Sequence, residues 1–236
     1  MTEPDPVPRP FWARLASTLG HPLLMPVVLL SGLFLSVPGL DHFPGAFFYL
    51  LLLLVVNTLA PSISLFMLYR RGVISDLEIR SPKERVLPFG LVGAYFVLTY
   101  AWVHWGAAGA EIPLPYHRML LGLSGAILLG VLITPRFKIS MHMLALGGVW
   151  GAWMGSGGLD RAGRLAQGLL HFGWEVVELH RGLFWREMAL LTLPILAAGW
   201  VGSARVALGV HRPVEVYVGW GLGALWMALI MAFNLN

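Results

Sequence analysis

The chain has 236 residues, of which 57% are hydrophobic and only 12% charged; an ordinary soluble domain carries about 25% charged residues. With a mean hydropathy of +0.73, this composition excludes a soluble domain. It predicts an all-α polytopic membrane protein, a helical bundle of about six to seven transmembrane helices with one interfacial amphipathic helix, read as a single transmembrane domain over 1–236. The absence of cysteine excludes disulfides, thiolate metal sites and cysteine nucleophiles, and the net charge of +4 rests on so few groups that it points to anionic headgroups or phosphate, not nucleic acid.

The opening stretch, MTEPDPVPRP, is proline-rich, and residues 1–12 are expected to be disordered; its acids and lack of a basic start do not read as a signal peptide. Seven apolar segments follow, at about 15–38, 44–69, 88–107, 117–134, 140–157, 187–203 and 213–234, the fifth of them short. Between the fifth and sixth, residues 160–185 alternate apolar steps of four and three through Leu165, Leu169, Phe172, Val176, Leu179 and Leu183. Arg164, Gln167, His171, Glu175, Glu178 and Arg181 fall on the other side, which predicts an interfacial helix with Asp160 as its N-cap. No internal repeat is evident, which argues against a transporter built from paired discontinuous helices.

With seven crossings, the polar stretches after the second, fourth and sixth segments share one membrane face. They read YRRGVISDLEIRSPKERVLP (69–88), TPRFKISMH (134–142) and GSARVALGVHRPVE (202–215). Three cationic loops on one face make a site for an anion. The positive-inside rule alone accounts for Arg70 and Arg71, but not for His142, His211 and Glu215, which stand at helix starts among small and apolar residues. Pro213 suits a first helical turn, placing Glu215 where the helix dipole favours an anion. His211 lies four residues before Glu215, a spacing that brings imidazole and carboxylate together. A carboxylate on one ring nitrogen fixes the tautomer and leaves the other for nucleophilic attack. Arg205 offers a planar fork for phosphate oxygens. His21 in HPLLMP and His104 read as packing or interface residues.

ARVALGVHRPVEVYVG resembles the third motif of the type 2 phosphatidic acid phosphatase family, S-R-x5-H-x3-D, with Arg205, His211 and Glu215 on its arginine, histidine and aspartate. ISMH resembles the second motif, P-S-G-H, with Ser140 and His142 in register, and SPKERVLP is a loose counterpart of the first, K-x6-R-P, best matched by Lys83 and Arg85. The resemblance covers residues 69–220, and with HPLLMP it looks most like a divergent bacterial branch of the family. It implies His211 as nucleophile forming a phosphohistidine, His142 as general acid and Glu215 as the group orienting the nucleophile. It implies Arg205, Ser140, Lys83 and Arg85 as phosphate ligands, with no metal and no cofactor. The chain departs from the motifs at Ile139 and Met141, which replace proline and glycine, at Glu215, which adds a methylene, and at Glu78, which stands where the first-motif lysine belongs.

The expected function is therefore a membrane phosphatase acting on a lipid phosphate or pyrophosphate, a metal-independent hydrolase of the bacterial inner membrane. Its partner is a membrane lipid with a phosphate headgroup, and further subunits or a homo-oligomer remain open. The alternative is a non-catalytic membrane subunit that retains the fold. Positive-inside counting puts the motif loops in the cytoplasm, whereas the family resemblance faces them outward.

Overall fold

A computed structural model of the chain describes residues 10–37, 40, 45–79, 81, 84–106, 112–172 and 181–233, and every regular element in them is helical. The first two helices, α1 (Phe11–Leu19) and α2 (Met25–Ser36), are joined through a 3₁₀ turn at Pro22–Leu24. Next, α3 (Ala46–Leu54) runs through a π-helical turn at Val55–Leu59 into α4 (Ala60–Arg70). The chain continues with α5 (Val86–Trp105), α6 (Leu114–Ile133) and α7 (Met141–Trp153). It ends with α8 (Leu159–Phe172), α9 (Arg181–Ala207) and α10 (Pro213–Ala232).

Six stretches are long and apolar enough to cross a membrane: Phe11–Phe34, Ala46–Arg70, Val86–Trp105, Leu114–Ile133, Phe184–Ala207 and Pro213–Ala232. The protein is an integral membrane helical bundle. The exposed faces of these stretches carry Phe47, Leu98, Leu132, Leu196 and Leu225, as a lipid-facing surface requires. The fifth predicted segment differs from the other six. Its regular part, α7, has 13 residues, about 20 Å at 1.5 Å per residue, against an apolar core of about 30 Å. It continues through a π-helical turn at Met154–Gly158 whose backbone leaves helical geometry at Ser156 and Gly157. Eight of the α7 residues are buried, so this helix forms the interior post of the bundle.

The seam between α7 and α10 explains how a short helix is held there. A Cβ on Gly147 would collide with the carbonyl oxygen of Trp220, and one on Gly223 with that of Leu144. Only hydrogen fits at these positions, so the two backbones touch and dispersion contacts along the seam replace the hydrophobic effect that lipid cannot supply. On the other flank of α7, Met143 and Leu146 pack with Ala13 and Ala16 of α1 and with Ala198, Val201 and Ala204 of α9.

Three expectations change at the ends of elements. Helix α1 already begins at Phe11, so the expected disorder over 1–12 does not hold at its last two residues; residues 1–9 lie outside the described residues. Asp160 falls in the first turn of α8 rather than at its cap, because the chain enters that helix already coiled through the π-helical turn. The predicted helix 160–185 is described only to Phe172: α8 is amphipathic with Leu170 83% exposed, residues 173–180 lie outside the described residues, and 181–185 belong to α9.

Beyond α7, at the end of the bundle away from His142, a polar cluster fixes the departure of α8. Glu187, fully buried, accepts from Trp153 Nε1 at 3.2 Å and from Arg161 Nε at 3.2 Å, and Arg161 Nη1 donates to the Ser156 carbonyl at 2.8 Å. A buried carboxylate persists only when paired in this way.

Candidate active site

The turn from α9 to α10 follows from one glycine. Gly209 adopts φ +67°, a left-handed conformation that ends α9 and folds the chain back on itself. The backbone N–H groups of Val210 and His211 then donate to the Arg205 carbonyl at 3.2 and 3.3 Å, which brings His211 beside the last turn of α9. Pro213 starts α10, and Glu215 in its first turn accepts from the Arg212 backbone N–H at 3.2 Å and from Arg212 Nε at 3.2 Å. The remaining capacity of Glu215 goes to His211, whose Nδ1 donates to Oε2 at 2.9 Å. That bond puts the ring proton on Nδ1 and leaves Nε2 as the basic nitrogen. His211 and Glu215 are both buried. Burial holds the His211 pKa down at about 4; Arg205 and Arg85 push the same way, and the bond to Glu215 only partly offsets them. The imidazole is therefore neutral at pH 7.

Helix α7 brings the second histidine. The Ser140 backbone N–H donates to the Glu215 carbonyl at 3.3 Å, tying the start of α7 to the start of α10. His142, two residues further, directs Nε2 at the Ser17 carbonyl, 3.1 Å away, with Ser17 Oγ at 3.4 Å. A carbonyl only accepts, so Nε2 carries the proton. Arg205 Nη1 also reaches Ser17, donating to Oγ at 2.6 Å. The His21 ring meets the His142 ring edge-on at 5.5 Å, while its Nδ1 accepts from the Leu23 backbone N–H at 3.3 Å.

Arg85 enters from the loop before α5. Only 2% exposed, it donates from Nε to the Ile79 carbonyl at 2.8 Å and from Nη1 to the Ile139 carbonyl at 3.2 Å. It thereby staples the first basic loop to the loop before α7. Ile79 sits at φ +46°, a strained position for a β-branched residue, and the Arg85 bond holds it there.

His142, Arg205, His211 and Arg85 line one cavity of about 530 Å³. Lys83 lies outside the described residues. Ser140 is 0% exposed, its Oγ has no hydrogen-bond partner among the described residues, and it does not line the cavity. Its backbone serves the α7–α10 junction instead. Ser17, which charge and motif reading pass over, and His21, read from the sequence as a packing or interface residue, both line the cavity, and so does Glu78. HPLLMP, where His21 caps the 3₁₀ turn, is the sequence signal that this segment returns to the basic loops; Ser17 carries no signal of its own.

Arg85 and Arg205 line the cavity with Glu78 as its one lining carboxylate, an excess of cationic groups that suits an anionic ligand. Among the described residues no three His, Asp or Glu side chains gather as a metal centre would require. No protein-family model, no curated protein and no solved structure matches the chain.

Proposed function

We propose that the protein is a membrane phosphatase that hydrolyses a lipid phosphate or pyrophosphate through a phosphohistidine on His211, as in the family its motifs resemble, and that it works in a bacterial cytoplasmic membrane. The observation that carries the reading is the His211–Glu215 pair: a buried carboxylate 2.9 Å from Nδ1 of a histidine that lines a cavity together with Arg85 and Arg205. In this reading Nε2 attacks the terminal phosphorus and the bond from that phosphorus to its leaving oxygen breaks, the oxygen belonging to the lipid alcohol in a monophosphate and to the remaining phosphate in a pyrophosphate. The leaving oxygen takes a proton from the protonated form of His142. Water then attacks the phosphohistidine, giving its proton to His142 and releasing inorganic phosphate and free His211. Arg205 and Arg85 stabilise the negative charge, which is most of what phosphoryl transfer asks of a protein.

One observation favours a second reading, a non-catalytic subunit retaining the fold. His142 is held by Ser17 at 3.1 Å, and Met141 stands where the family motif has glycine. Phosphate release by purified protein from a panel of lipid phosphates and pyrophosphates separates the two. Turnover that disappears in His211→Ala supports the enzyme; a folded wild type inert on the whole panel supports the subunit.

A further inference from the structure

The cavity does not stop at the charged residues. Along α5 it is lined by Phe89, Val92 and Phe96, which with Arg85 follow the spacing of one helical face. From Arg85 to Phe96 is eleven residues along the chain, about 16 Å at 1.5 Å per residue. On α6 the wall reaches Leu123, ten residues in from Ile133 at the same end of the bundle, about 15 Å by the same rise. Half of an apolar membrane core is about 15 Å. Two neighbouring helices thus agree that the cavity runs from the membrane edge to about the midplane, the depth of one lipid leaflet. Its volume of about 530 Å³ corresponds to about 18 groups of the size of a water molecule at ~30 Å³ each. That is room for one hydrocarbon chain.

We propose that the cavity takes one hydrocarbon chain of a phosphate-bearing lipid inside the bundle, its phosphate at the end carrying Arg85 and Arg205 and its chain lying against Val92, Phe96, Leu123 and Ala126. The charged end and the apolar depth are one continuous space, so headgroup and tail are recognised together. This rests on reading the His211 end as the phosphate end. Chain length becomes a specificity determinant, with Phe96 and Leu123 at its limit and Ala126 on the wall before it.

The test uses His211→Ala protein in nanodiscs, which removes turnover, and n-alkyl phosphates from butyl to hexadecyl as probes in calorimetric titrations. Affinity should rise with chain length and then level off where the cavity ends. Adding Ala126→Phe should move that plateau to shorter chains and weaken hexadecyl phosphate at least tenfold, with butyl phosphate unchanged. Adding Phe96→Ala should move it to longer chains, which keeps the test open if the filled variant does not fold. Partition into the nanodisc lipid is the same for all variants, so a shifted plateau belongs to the cavity. If hexadecyl phosphate binds equally to all three folded proteins, the proposal is overturned. Hydrolysis by wild type without any such shift would refute the tail cavity and keep the phosphatase. A shifting plateau with no hydrolysis by wild type would keep the tail cavity and refute the phosphatase.

Discussion

Arg205 Nη1 donates to Ser17 Oγ at 2.6 Å, across 188 positions of sequence, and the carbonyl of the same serine accepts from His142. One residue near the start of the chain therefore positions a guanidinium and an imidazole brought by two later helices. Ser17→Ala removes the hydroxyl and keeps the carbonyl. A hydrogen bond to a charged group is worth about 1.5–3 kcal/mol, so turnover should fall by about ten- to a hundredfold if Arg205 acts mainly in the transition state. Ser17→Thr should restore most of it. Steady-state kinetics on the three proteins, with melting temperatures to show equal folding, decide this.

Glu215 accepts from His211, from the Arg212 backbone and from the Arg212 side chain, so its charge both caps α10 and orients the His211 imidazole. Glu215→Gln keeps the shape and loses the charge; where an orienting carboxylate is neutralised, turnover falls by about 10⁴-fold, and a loss of that order is expected. Glu215→Asp retracts the carboxylate by one methylene while keeping its charge, and should cost far less. Equal losses in the two variants would mean that geometry, not charge, is what the carboxylate supplies.

Burial holds the His211 pKa at about 4 in the folded protein, against about 6.5 in an unfolded chain. His211 is mostly neutral down to its own pKa, so with His211 as the proposed nucleophile the acidic limb of kcat/KM should lie near pH 4. The stability effect has a definite sign. Between about 6.5 and 4 the unfolded chain binds a proton that folded His211 does not, so the His211 contribution is fully present above pH 6.5 and is lost as pH falls through the window. His211→Gln should flatten that part of the pH–stability curve, measured by thermal unfolding in nanodiscs.

The glycine seam makes a prediction about folding rather than chemistry. Gly147→Val forces a side chain into the Trp220 backbone; overpacking usually costs about 1–3 kcal/mol, and a clash with backbone should lie at or above that range. Because α7 carries His142 and α10 follows His211, activity should fall together with melting temperature. A valine at Gly221, which has open space around it, is the matched control and should leave both unchanged.

Much of this arrangement is legible in the residues themselves. Apolar run lengths mark all six stretches long enough to span, since the bilayer imposes one length on every crossing, and add a seventh at 140–157 whose regular helix has only 13 residues. The spacing of His211 and Glu215 predicts their bond, because four residues at the start of a helix leave the two side chains few ways to avoid each other. The charges of the three basic loops point to their meeting place. What stays hidden depends on contacts without a local signature. Ser17 looks like any polar residue in α1, and its place beside Arg205 follows from α1 packing its alanines against α9. Ser140 sits in register with a motif, yet its side chain is sealed behind the cavity wall because its backbone joins α7 to α10. The glycines at 147, 151 and 155 do form a small-residue pattern, a packing signal that counting charges passes over.

Attack of His211 on phosphorus is the step on which the proposed phosphatase depends. Acid-free quenching of wild-type protein during turnover of a lipid phosphate, followed by peptide mass spectrometry, tests it most directly. The expected result is a phosphoryl group on the His211 peptide, absent in His211→Ala. Turnover of the same substrate with His211 unmodified in every sample, and undiminished in His211→Ala, would contradict it.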